Sequence, residues 1–236
     1  DATKIPLRQK PVKVEKEKPQ AKKRGRPKKG ETREPIKPTI LKQQKELLSV
    51  EEKLALVSTE CGVGIKQNSK GNREVWIGGK LHISAVDGDI PVTAFYSGAN
   101  IHDSSIALPL IQETSKRVNY LYDLQDAGYD ADIIREFSNK LGHRPIIDTN
   151  PKNSKELKAK IELMEHEGKT FKDINQHLNC DEEHYNQRSM VERVNKYLKD
   201  DFGCDKIYYQ GATKVASVLA FGILSICIHQ SLQLVT

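Results

Sequence analysis

The stretch VWIGGKLHISAVDGDIPVTAFYS, residues 75–97, decides how this chain is to be read. Apolar and polar residues alternate on both sides of Asp87-Gly88-Asp89, and a period of two around an Asp-Gly turn predicts a β-hairpin. Asp87 and Asp89 are then turn residues, whose carboxylates bond the local backbone before they bind metal. Trp76 belongs to the core. His82, alternating within the first strand, faces either the core or a site.

Working outward toward the C-terminus, Asp103 or Ser104 can cap a helix running to about Lys116, and His102 is given no catalytic role. VNYLYDLQ, residues 118–125, is a further strand that delivers Asp126 at its end. Residues 130–141 read as an amphipathic helix, 144–147 as a short strand, 154–166 as a helix, and 184–200 as a strong helix stopped by Gly203. Residues 212–234 form a terminal helix. Its apolar run, 215–228, is shorter than a bilayer span requires and predicts a buried core helix. Toward the N-terminus, residues 39–58 have the spacing of one or two short helices, followed by a polar loop. Strands interleaved with helices in this order predict an α/β fold built on one core.

Charge separates the chain into two parts. Residues 1–40 hold 14 Lys/Arg against 5 Asp/Glu, whereas the remainder holds 24 against 27. Residues 4–38 have too few large apolar side chains to offset ordering entropy, so they read as an extended basic arm or insertion ahead of a core over 39–236. Within the arm, Arg24-Gly25-Arg26-Pro27 resembles an AT-hook, in which Arg24 and Arg26 enter a narrow A·T minor groove. A polyanion, double-stranded DNA before membrane, is the partner such a tract favours, with a merely solubilising tail as the plain alternative. The four cysteines are widely spaced, form no CxxC pair and suit a reducing interior, so neither a zinc ribbon nor a disulfide framework is signalled.

The chemistry is carried by carboxylates. Two-metal phosphoryl transfer needs several of them converging from different elements, because Mg²⁺ takes hard oxygen ligands. Asp126 ends a strand and precedes a Gly-containing turn, a position where sites assemble in open sheets, although on this feature alone an ordinary helix-capping role is the plainer explanation. On the helix over 184–200, Tyr185, Arg188, Glu192 and Lys199 share an arc of about 60°. Such a face presents one carboxylate among phosphate-binding groups, or is a solvated face with an Arg188–Glu192 pair.

At every spacing, these four residues resemble the Y-(2)-R-(3)-E-(6)-K signature of DDE transposases from bacterial insertion sequences. Further likeness lies in residues 77–104, in DAGYD from Asp126, in LKDDFG with its following helix, and in Asp1-Ala2-Thr3, which resembles the segment bearing the family's first acid. The resemblance implies an RNase H-like mixed sheet flanked by helices. It implies Asp1, Asp126 and Glu192 as catalytic residues and ligands of two Mg²⁺ ions, with Mn²⁺ as a substitute. Tyr185, Arg188 and Lys199 would contact phosphates at the transposon end. It further implies cleavage of transposon ends and joining to target DNA in a synaptic complex, a homodimer among the forms the family uses, in the cytoplasm and nucleoid of a prokaryote. Residues 1–3 are then the remnant of the first catalytic strand, which leaves open a truncated, inactive, transposase-derived DNA-binding protein. A two-metal nuclease without strand transfer shares the same logic.

Overall fold

A computed structural model describes residues 1–12, 38–67, 72–148, 150, 155–168 and 187–235. The hairpin expected from residues 75–97 is the centre of the fold. Strand β3 (Arg73–Val86) pairs antiparallel with β4 (Ile90–Gly98), and Gly88 and Asp89 between them take φ of 83° and 57°. Two successive positive φ angles are what a tight turn following the twist of the strands requires.

Strand β1 (Ala2–Pro6) pairs antiparallel with β3 from Ala2↔His82 to Pro6↔Gly78, and β2 (Gly62–Gln67) takes the other half of β3, from Gly62↔Gly78 to Gln67↔Arg73. Gly78 marks the crossing point. Its φ is 152°, and a Cβ there would lie 2.1 Å from the Ile5 carbonyl oxygen, so only glycine fits. β1 runs further than the tripeptide to which the sequence assigns it. Ile5 and Leu7 are buried in the core, and Leu7 bridges to Ile207, so the basic arm does not begin at residue 4.

Helices cover both faces of this four-stranded sheet. Because successive strand residues point to opposite faces, Leu81 and Ile83 pack with Val191, Val194, Leu198, Val215 and Leu219 of α6 (Ser189–Asp200) and α7 (Ala212–Val235). Phe95 packs on the other face with Val57, Ile106 and Leu110. That second layer holds α1 (Ile40–Glu46), α2 (Val50–Ala55) and α3 (Ala107–Arg117). Its starts are capped: Thr39 accepts from Lys42 N, and Ser49 forms a reciprocal capping box with Glu52. Beyond α3, β5 (Tyr122–Gln125), α4 (Asp132–Lys140) and β6 (Arg144–Ile147) form a β-α-β unit, with β5 and β6 parallel; α5 (Lys155–His166) follows.

The α/β architecture of strands flanked by helices is as expected, with antiparallel and parallel pairing both present; among the described residues the hydrogen bonds run in a four-stranded antiparallel ladder and a parallel β5–β6 pair. Two expectations are corrected. α7 is not buried throughout: Val215, Leu219, Gly222, Ile226 and Gln230 form its inner stripe, while Phe221 is 71% exposed and Leu232 61%. Overall apolarity is therefore not burial; only one stripe of a lone surface helix meets the sheet. At 24 residues it is long and apolar enough to cross a membrane by length and composition, although its inner stripe is packed in the core. Lastly, His102 rather than Asp103 caps the 3₁₀ turn Asp103–Ile106, accepting from Ser104 N through Nδ1.

Candidate active site

At one end of the sheet, β1 begins beside the start of α6. Asp1 exchanges both main-chain bonds with Ile83, donating to its carbonyl at 3.0 Å and accepting from its N–H at 2.9 Å. The Asp1 carboxylate accepts from Ala2 N at 2.7 Å and faces the Arg188 guanidinium at 3.6 Å. The same guanidinium reaches Glu192 at 3.2 Å, one helical turn along. Arg188 thus bridges two of the three expected acids. It stands at the N-cap of α6, since the helix proper begins at Ser189. Tyr185, Arg24 and Arg26 lie outside the described residues.

Asp126 follows β5 directly, as the sequence indicates. Its side chain accepts from Gly128 N at 2.9 Å and caps the 3₁₀ turn Ala127–Tyr129. It lies near the other acids electrostatically. The Asp126 and Asp103 carboxylates both act on the Asp1 main-chain nitrogen, which is buried. Asp103 is the residue that sequence reasoning left out of the site. Its carboxylate pairs with Lys80 Nζ at 2.8 Å, and Lys80 also donates to the Ile101 carbonyl at 2.8 Å. The signal that could have found it is the strand period, which puts Lys80 on the same face as His82. His82 itself is fully buried, bonded through Nε2 to Ser97 Oγ at 2.8 Å. It belongs to the core.

The far end of the α6 face has a different character. Lys199 lies two turns beyond Glu192, about 10 Å along the helix axis. Burial lowers its pKa, Asp205 works against that, and the positive charges of Lys4 and Lys66 add to it. β1 runs alongside, with Asp1 at the acidic end and Lys4 at the basic end. The shared helix face is therefore graded from carboxylates to ammonium groups. Asp89 serves the turn and also pins α6, accepting from Arg193 Nε at 2.8 Å and Nη2 at 2.7 Å.

Carboxylate oxygens are the donors that Mg²⁺ prefers, but the arrangement does not converge on a cation. Asp126 caps its own turn and Glu192 is held by Arg188. Among the described residues no group of three or more His, Cys, Asp or Glu side chains is placed to hold a metal ion.

These features define the class as an α/β protein with acids at strand and helix ends beside a basic helix face. A family model described as Transposase DDE domain matches residues 1–228, and the chain belongs to that family. Membership supports a general DNA-transposase role and an enzymatic one, in a family that typically uses divalent metals. Neither curated proteins nor solved structures gave a match.

Proposed function

We propose that this chain is the catalytic core of a transposase that cleaves transposon ends and joins them to target DNA by phosphoryl transfer, on an RNase H-like fold. The observation that carries the reading is the Arg188 bridge between Asp1 and Glu192. A guanidinium fork matches a phosphate as well as it matches a carboxylate. An arriving phosphodiester competes for Arg188 and releases both acids, so DNA binding itself exposes the carboxylate pair. Tyr185 and Lys199 extend the phosphate-binding face, and Arg24 and Arg26 add minor-groove contacts from the arm. Two Mg²⁺ ions, or Mn²⁺ in their place, on Asp1, Asp126 and Glu192 complete the proposal, and no step is derived through them because those side chains do not converge. A homodimeric synaptic complex on double-stranded DNA in the prokaryotic nucleoid is the setting that this reading implies.

The test is Glu192→Gln, assayed on labelled duplexes carrying the ends of the element that encodes the chain. Cleavage in Mg²⁺ should fall by at least about 100-fold, more than supporting residues around a metal site usually cost, with DNA affinity retained. Cleavage at near wild-type rate overturns the assignment. Binding without any cleavage by the unaltered chain returns the alternative, an inactive DNA-binding derivative. Cleavage without joining to a target duplex returns a nuclease.

A further inference from the structure

The loop that follows α6 is tied to the chain leaving β1. Leu7 and Ile207, both buried, bridge through their main chains; Gln210 Nε2 donates to the Arg8 carbonyl at 3.3 Å, and Gly211 N donates to Gln9 Oε1 at 2.9 Å. These ties hold residues 207–211 against residues 7–9. Tyr208 and Tyr209 lie between them, yet they are 63% and 60% exposed. An aromatic ring is among the largest apolar surfaces a chain can bury, so two rings held in solvent on a fixed loop are a surface awaiting a ligand.

Beside Tyr208 is a cleft of about 120 Å³. Roughly 10–15 Å³ admits one water, so the cleft has room for a ring. The Arg8 guanidinium lies over one face of Tyr208, 4.9 Å from the ring centroid, and the exposure of Tyr208 leaves the other face open. Pro6, Leu7 and Ile207 give the cleft an apolar lining, while Asp205 and Lys206 give it a charged rim. Each property suits the same ligand. Guanidinium and phenol planes stack on a planar π-system. A carboxylate accepts from an exocyclic amine, as it does from N4 of cytosine. Lysine supplies a point charge for a phosphate. Asp205 is also the foremost charge acting on Lys199, so the cleft adjoins the basic end of the α6 face.

We infer that this cleft binds one unpaired nucleobase of a DNA strand, stacked on Tyr208 and Arg8, with Asp205 accepting from its exocyclic amine. Cytosine and adenine carry that amine and thymine does not. Tyr209 offers the neighbouring base a second stacking surface. A base inside a duplex cannot enter, because its neighbours occupy both of its faces. The cleft therefore serves a single-stranded end or gap, apart from Arg188 and the acids at the other end of α6. The inference rests on the DNA-transposase reading for the strand that carries the base; the cleft's chemistry stands without it.

The test compares a blunt duplex with the same duplex carrying a short cytosine overhang, by fluorescence anisotropy on this chain. The overhang should bind at least about fivefold tighter. Tyr208→Ala should abolish that gain and keep the blunt-end affinity, whereas Tyr208→Phe, which retains the ring, should keep the gain. A thymine overhang should gain less than cytosine, and Asp205→Ala should narrow that difference whatever it does to overall affinity. Equal binding of blunt and overhung duplexes overturns the inference, and so does a gain that survives Tyr208→Ala. Equal gains from thymine and cytosine overturn the part given to Asp205. Free deoxycytidine monophosphate should compete only far above the concentration of the oligonucleotide, because it lacks the strand's other phosphates. Competition at equal concentration overturns the strand in favour of a free nucleotide. A single-stranded cytosine oligomer keeps the two readings apart. If the chain holds no duplex but holds the oligomer through Tyr208, the transposase reading fails and the cleft stands; an oligomer held equally by the parent and Tyr208→Ala overturns the cleft.

Discussion

His82 shows how a titratable residue that looks like part of a site is used instead as structure. It is wholly buried, its Nε2 is bonded to Ser97, and burial drives its pKa down to about 3, with Asp103 pulling weakly the other way. In the unfolded chain it titrates near the ordinary histidine value of about 6.5. Between those limits the unfolded state binds a proton that the native state does not, so stability is complete above about pH 6.5 and drains as pH falls toward 3. From pH 6.5 to 4.5 the loss assignable to this ring is roughly 2 kcal/mol. Urea midpoints at those two pH values should therefore separate less in His82→Gln than in the parent; equal separations remove His82 from the account. At this scale the sequence was legible where function coincides with local geometry: Asp126 after a strand, Asp89 in a turn. It was not legible where a partner is far along the chain. Lys80–Asp103 and Arg188–Asp1 span 23 and 187 positions, and nothing local to either residue announces them.

The elements were read well where period and turn chemistry agree, as in β3–β4, and less well where one property stood in for another. α7 is the instructive case, because its apolar composition says nothing about which stripe meets the sheet. Gly222 marks the stripe. A Cβ there would come within 2.5 Å of Cys204 Sγ and 2.7 Å of Leu198 Cδ1, both on buried side chains, so this glycine sets how closely α7 approaches α6. Two effects oppose each other in Gly222→Ala. Helix propensity favours alanine by about 1 kcal/mol, whereas overpacking a filled core costs about 1–3 kcal/mol. Leu198 and Cys204 are fixed by their own helix and loop, so overpacking should win and the melting temperature should drop. Truncating both obstacles, with Leu198→Ala and Cys204→Ala together, should make the added methyl favourable in that background. A stabilising single substitution would mean that the helices can separate at no cost.

At the scale of the whole molecule, charge is segregated more sharply than the fold is. The core carries a graded face, from Asp1, Arg188 and Glu192 to Lys199 with Lys4 and Lys66 nearby. The excess of positive charge lies in the first 40 residues, with six Lys/Arg between positions 20 and 30, beyond the residues the structure describes. These two surfaces make different demands on DNA. A core contact is fixed in register with the acids. An arm contact adds affinity that is indifferent to sequence, or reads only groove width. Each phosphate neutralised contributes about 0.9 to the slope of log K against log salt. Deleting residues 20–30 should therefore flatten that slope by about 2 to 5 and weaken binding most at low salt. Lys199→Ala should lower the slope by about 1 while leaving the arm's share intact. Fluorescence anisotropy on one duplex across a salt series reads both. If the deletion leaves the slope unchanged, the arm does not touch phosphate and the core alone holds the DNA. If Lys199→Ala leaves it unchanged, the basic end of α6 neutralises no phosphate, and the graded face is a property of the fold rather than of the DNA track.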